Sequence, residues 1–82
     1  MTTYTVYVLK SINFDRYYTG MTADLERRLA EHNSGKTKST KAYKPWKIVY
    51  KESFSSRSEA RAHEKYLKSG SGREWIKKKM AS

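Results

Sequence analysis

The chain has no cysteine, a single proline and only four glycines. Without thiols, a disulfide framework and a thiolate zinc site are both excluded. Histidine is nearly as scarce, with His32 and His63 the only two. A histidine-rich metal centre is therefore not expected, and any metal should be a hard cation held by carboxylate and water. No apolar run approaches the ~20 residues that a membrane-spanning helix needs. The opening Met1-Thr2-Thr3-Tyr4-Thr5 has no basic stretch followed by an apolar core, so no signal peptide is expected and the cytoplasm is the default compartment. Also missing are a P-loop glycine pattern, a nucleophile-elbow serine, a His-Glu-x-x-His pair and the acidic clusters of a two-metal nuclease. These absences set aside nucleotide hydrolysis, serine-type acyl transfer and zinc-protease chemistry.

Acids are in short supply too. Eighteen lysines and arginines stand against eight aspartates and glutamates, for a net charge of +10. The excess lies in one half. Residues 1–35 carry four groups of each sign, whereas residues 36–82 carry fourteen basic groups and four acidic ones. Such a field attracts polyanions through phosphate neutralisation and counterion release, and it points to a nucleic-acid partner rather than a membrane. Charge alone does not separate a binder from a nuclease.

With 82 residues the chain is expected to form one domain over residues 1–82. A domain of that size buries only roughly 60–65 % of the surface its unfolded form exposes. Residues 3–10 alternate, with Tyr4, Val6 and Val8 facing one way and Thr5, Tyr7 and Leu9 the other, which predicts a strand. Asn13-Phe14-Asp15 reads as a turn and residues 16–22 as the returning strand, with Gly20 marking a bulge or a close approach. Thr22 is the expected N-cap of a helix ending near Asn33 and Gly35, with Leu25, Arg28, Leu29 and His32 on one face. Residues 34–44 read as a flexible basic loop. A third strand follows, with Trp46, Ile48, Tyr50 and Phe54 on one side. Ser56 and Glu59 form a capping box for a helix through Leu67. Ser69-Gly70-Ser71-Gly72 should break that helix, leaving a last one over residues 73–79. The fold class is thus α+β, a three-stranded antiparallel or mixed sheet flanked by helices in the order β-β-α-β-α-α. Its expected core is Val6, Val8, Ile48, Leu25, Leu29 and Leu67.

Several polar residues break this apolar patterning. Arg28 and His32 lie one turn apart on a face that otherwise presents leucine. Glu64 sits between Ala60 and Leu67 on the apolar face of its own helix. Burying such groups unpaired is costly, so they should line a cleft or find partners. Beside Tyr7 and Tyr18 of the hairpin they look like a site for phosphate and metal. Local roles compete: strand packing for the tyrosines, pairing of Arg28 with Glu31 or Asp24, a capping or core position for His32, and an i,i+4 pair of Glu64 with Lys68.

The order and spacing of these residues resemble the GIY-YIG nuclease superfamily, over residues 3–79. Thr5-Val6-Tyr7 stands at the first motif and Tyr18-Thr19-Gly20 at the second; Arg28, His32 and Glu64 follow at the family's positions. The chain looks most like the small stand-alone bacterial members, and is similar to the N-terminal nuclease domain of the excision-repair C subunit. Thr5 replaces the first motif's glycine and Thr19 the second motif's isoleucine. The asparagine that longer relatives carry after the glutamate has no clear counterpart, and Ile76 falls in that region.

The resemblance implies a metal-dependent endonuclease acting on phosphodiester bonds in DNA, including structured or damaged DNA in repair. It implies Tyr7, Tyr18, Arg28 and His32 as catalytic residues, either tyrosine activating water, and Glu64 as the ligand of Mg2+ or Mn2+. Lys36, Lys38, Lys41, Lys44 and Arg73 are the candidate nucleic-acid contacts, from their charge and placement. The alternative is a non-catalytic basic nucleic-acid-binding module, or an accessory protein on the same fold. Oligomeric state is open, a homodimer being one way to cut both strands.

Overall fold

Strand β1 (Tyr4–Ser11) occupies the middle of the sheet because both of its faces are apolar. Val6, Tyr7, Val8 and Leu9 are all buried, alternating between two hydrophobic clusters. The computed structural model, which describes residues 2–81, places β2 (Tyr17–Thr22) on one edge and β3 (Trp46–Phe54) on the other. Both pair with β1 antiparallel, so the sheet is antiparallel throughout, in the order β2-β1-β3. The expected order of strands and helices holds.

Helix α1 (Leu25–Ser34) covers the face carrying Tyr7, Leu9 and Trp46. Asp24, not Thr22, is its N-cap, accepting from the Arg27 amide at 3.2 Å. Thr22 acts one step earlier, its hydroxyl accepting from the Asp24 amide at 3.1 Å. Gly35 closes the helix at φ 84°, a left-handed conformation that a side chain would strain.

Helices α2 (Arg57–Lys68) and α3 (Gly70–Ala81) cover the other face, where Val6, Val8, Tyr50, Ala60, Leu67 and Ile76 form the second cluster. Ser56 caps α2 as expected, accepting from the Glu59 amide. The break after α2 is far shorter than four residues. Ser69 alone is extended, its hydroxyl accepts from the Gly72 amide at 3.2 Å, and α3 begins at Gly70. A β-carbon on Gly72 would collide with the Tyr66 carbonyl, so glycine is what permits this tight corner.

Two readings of residues 34–54 are corrected. The register slips between Val8 and Leu9, where Val8 opposes Tyr50 and Leu9 opposes Ile48. This bulge sends Trp46 and Ile48 to the α1 face and Tyr50 and Phe54 to the α2 face, instead of all four to one side. Ile48, Leu25 and Leu29 are only partly buried, while Val6, Val8 and Leu67 are core as expected. The basic loop is held in place. Lys41–Tyr43 forms a 3-10 turn, Thr40 is buried, and the Trp46 indole donates to the Thr40 carbonyl at 2.9 Å. Asn33 clamps α1 to β3, accepting from the Trp46 amide at 2.6 Å and donating to its carbonyl at 3.1 Å. Among the described residues no helix is long and apolar enough to cross a membrane.

Candidate active site

Tyr7 and Gly20 stand opposite each other in the β1–β2 register. A β-carbon on Gly20 would lie 2.6 Å from the Tyr7 hydroxyl oxygen and 2.8 Å from the adjoining ring carbon. The missing side chain is therefore the space through which Tyr7 lays its ring across β2. Tyr18 stands two residues earlier on the same face of β2, its ring centroid 6.3 Å from that of Tyr7.

His32 reaches this pair from α1. Its ring lies 4.8 Å from Tyr18, and its Nε2 is 3.2 Å from the Tyr7 hydroxyl. On its far side Nδ1 lies 2.8 Å from the Thr40 hydroxyl, which itself donates to the Thr37 carbonyl at 3.4 Å. In the tautomer where Nδ1–H donates to Thr40, Nε2 accepts from Tyr7; in the other, Thr40 donates to Nδ1 and Nε2–H donates to Tyr7. Burial, then repulsion from Arg28, holds the imidazole pKa below its usual value, so the ring is neutral at neutral pH.

Arg28 lies one turn earlier on the same helix face, with its side chain one-third exposed. It pairs with Glu31 at 3.0 Å, the bland outcome allowed by the sequence. Glu31 first, and then the nearby Tyr7 and Tyr18 hydroxyls, strengthen its hold on its charge. Glu64 approaches from α2, largely buried at 14 % side-chain exposure. It pairs with Lys68 at 3.1 Å and with Arg61 at 3.7 Å. Its negative charge reaches the Tyr7 phenol, whose pKa is pushed up to about 12, chiefly by burial.

Tyr7, Tyr18, Arg28 and His32 thus gather on the α1 face at the β2 edge, while Glu64 sits on α2 across the sheet, near enough for its charge to reach Tyr7. The donor set fits one kind of metal. Among the described residues no group of three His, Cys, Asp or Glu side chains could cage an ion. A lone carboxylate suits magnesium or manganese, which keep several waters and complete their shell on substrate phosphate.

The candidate nucleic-acid residues fall in two places. Lys36, Lys38, Lys41 and Lys44 are exposed on the segment after α1, whereas Arg73 lines a groove between β2 and the α2–α3 corner. Thr40 was not expected to matter. Only the fold brings it to His32, and no local pattern marks a threonine as an orienting partner. Lys68 was foreseen only as a surface partner of Glu64, yet it lines the same groove as Arg73.

A family model described as the GIY-YIG catalytic domain matches residues 3–79. A UPF0213 protein of Staphylococcus haemolyticus is 42 % identical over 73 residues, covering 88 % of each chain. A UPF0213 protein of Streptococcus pneumoniae is 51 % identical over 53 residues, which span 63 % of this chain but only 54 % of that protein. The solution structure of a UPF0213 protein from Bacillus halodurans superposes with a TM-score of 0.55 at 34 % identity, covering 90 % of this chain and 81 % of that one.

Proposed function

This chain belongs to the GIY-YIG catalytic-domain family, and on that footing we propose that it is a metal-dependent endonuclease hydrolysing phosphodiester bonds in DNA. One observation carries the reading: the Tyr7 hydroxyl lies 3.2 Å from His32 Nε2 and next to Tyr18, on the helix face that also presents Arg28. A structural role alone gives no reason for that set to gather at the open edge of a sheet.

Each residue then has a task. Arg28 neutralises the charge that grows on the phosphate as the fifth oxygen adds, and its grip on its proton suits it to that role. Tyr7 is no standing phenolate at neutral pH, because burial holds its proton. It works instead as a relay: the attacking water gives a proton to the Tyr7 oxygen as the Tyr7 proton passes to His32 Nε2. His32 is neutral, and the relay uses the tautomer with Nδ1–H on Thr40 and the Nε2 lone pair facing Tyr7. Among the described residues the Tyr18 hydroxyl has no such acceptor, so Tyr18 positions the phosphate together with Arg28. Glu64 would hold a divalent ion, which when bound supplies Lewis-acid stabilisation to the phosphate and the leaving oxygen. Branched, nicked and damaged DNA are the substrates to try first.

A binding module that does not cut is the second reading. It is favoured by the two cations already engaging Glu64. The deciding experiment is cleavage of labelled single-stranded, duplex, nicked, flapped and four-way-junction DNA, with RNA alongside. Each is run with magnesium, with manganese and with chelator. Metal-dependent cutting is expected, lost in Glu64→Ala and in Arg28→Ala while most of the binding remains. Cutting that survives both substitutions sinks the site assignment; binding with no cutting by the unaltered chain selects the second reading.

A further inference from the structure

Beside the catalytic cluster runs a groove of about 480 Å³, between β2 and the α2–α3 corner. Asp15, Arg16 and Tyr17 line one wall and Lys68, Arg73 and Lys77 the other; the Arg16 guanidinium lies 4.9 Å from the Tyr43 ring, outside the groove, so the cationic wall is that of Lys68, Arg73 and Lys77. Tyr18 and Lys68, the partner of Glu64, line the groove as well, so it borders the proposed site at those two residues.

Arg73 and Lys77 give the fold little. Among the described residues no carboxylate lies within 4.0 Å of the Arg73 or Lys77 side-chain nitrogens. Arg73 sits in the first turn of α3, which carries no acid, and there a cation opposes the helix dipole. Lys77 follows four residues later, where like charges repel. Local stability is spent on a charge pattern that only a polyanion repays. Tyr17 adds an aromatic surface to the wall, 38 % exposed.

We propose that this groove holds one unpaired strand of the substrate, with its phosphates against Lys68, Arg73 and Lys77 and a base on Tyr17. The proposal rests on the nuclease reading and extends it to the form of the substrate next to the cut. A cationic wall facing an aromatic one fits a backbone whose bases are free to stack, whereas the bases of a duplex are already paired and stacked inside it. A basic groove with an accessible ring is the combination by which single strands are bound.

The test measures binding in chelator, so no cutting is involved. Fluorescence anisotropy is read for a labelled single strand and for the duplex of the same sequence, over a series of salt concentrations. The full chain is compared with Arg73→Ala/Lys77→Ala and with Lys47→Ala/Lys51→Ala, which removes the same charge from exposed positions on the opposite edge strand. The groove pair should lower the slope of log affinity against log salt by about 1.4 for the single strand, at ~0.7 per lost phosphate contact. The control pair should leave that slope unchanged. Tyr17→Ala should weaken single-strand binding roughly fivefold or more, as loss of one stacked base does. Equal slope losses in the two pairs would reduce the effect to net charge and overturn the proposal. So would a slope loss confined to the duplex. A chain that never cuts but passes this test keeps the groove and loses the nuclease; a chain that cuts but fails it keeps the nuclease and loses the groove.

Discussion

At Gly20 the space a methyl group would take is already filled by the Tyr7 hydroxyl and ring. The ring is rigid and its hydroxyl is anchored to His32, so it has no easy way to yield. Gly20→Ala should therefore cost about 1–3 kcal/mol, as overpacking does. For a domain of this size that lowers the melting temperature by roughly 4–8 °C per kcal/mol. The larger effect should be on activity. A shift of about 1 Å in the Tyr7 oxygen is enough to lower kcat on the order of a hundredfold. A variant that melts lower but still cuts at the full rate in the cold would show that Tyr7 needs no such placement. Gly20 was legible from the sequence as a close approach; that the approaching group is Tyr7 depends on the pairing register.

Between elements, His32 ties α1 to the segment that follows it. Thr40 faces its Nδ1 and Tyr7 its Nε2, so a second ring proton would have to displace a hydrogen-bond donor. Burial is the main cause of its depressed pKa, and Arg28 adds to it while Glu31 opposes. The folded chain thus binds fewer protons than the unfolded chain just below the ordinary value of 6.5. The stability that comes from neutral His32 is complete above that value and is lost as pH falls through the window beneath it. The expected measurement is a melting temperature that declines below pH 6.5 more steeply in the unaltered chain than in His32→Gln, which has nothing to titrate there. Parallel profiles would mean that His32 is not held neutral by the fold. In the unaltered chain cleavage should fall over the same acidic window, because protonated His32 cannot take the Tyr7 proton.

The whole molecule measures 32 × 28 × 20 Å, comparable with the ~34 Å of one DNA turn. Each chain carries one site, so one encounter should cut one strand. Supercoiled plasmid is expected to pass through a nicked form before linear DNA appears. Linear product rising in step with nicked product would mean that two copies act together. The basic half of the chain surrounds the site in the fold without forming it. Among the residues of the cluster only Glu64 comes from that half, while Tyr7, Tyr18, Arg28 and His32 lie in the charge-neutral first 35 residues.

The sequence by itself determined the strands, the helix caps at Gly35 and Ser56, and the order of elements. Those depend on alternation, on helical spacing and on side chains that cap nearby amides, all of which are local. It also singled out Arg28 and Glu64 as candidates, because a charged group on an apolar face stands out wherever the chain is later placed. The tertiary structure decided the rest. A bulge opposite Val8 and Leu9 put Trp46 and Tyr50 on opposite faces, and a bulge is a property of two paired strands. The choice between an ordered and a loose basic segment rested on Trp46 and His32 reaching Thr40 across the fold. The groove joins Arg16 to residues 68–77, which are far apart in the chain. Contacts of that kind exist only once β2 and the α2–α3 corner have packed, and no local pattern records them.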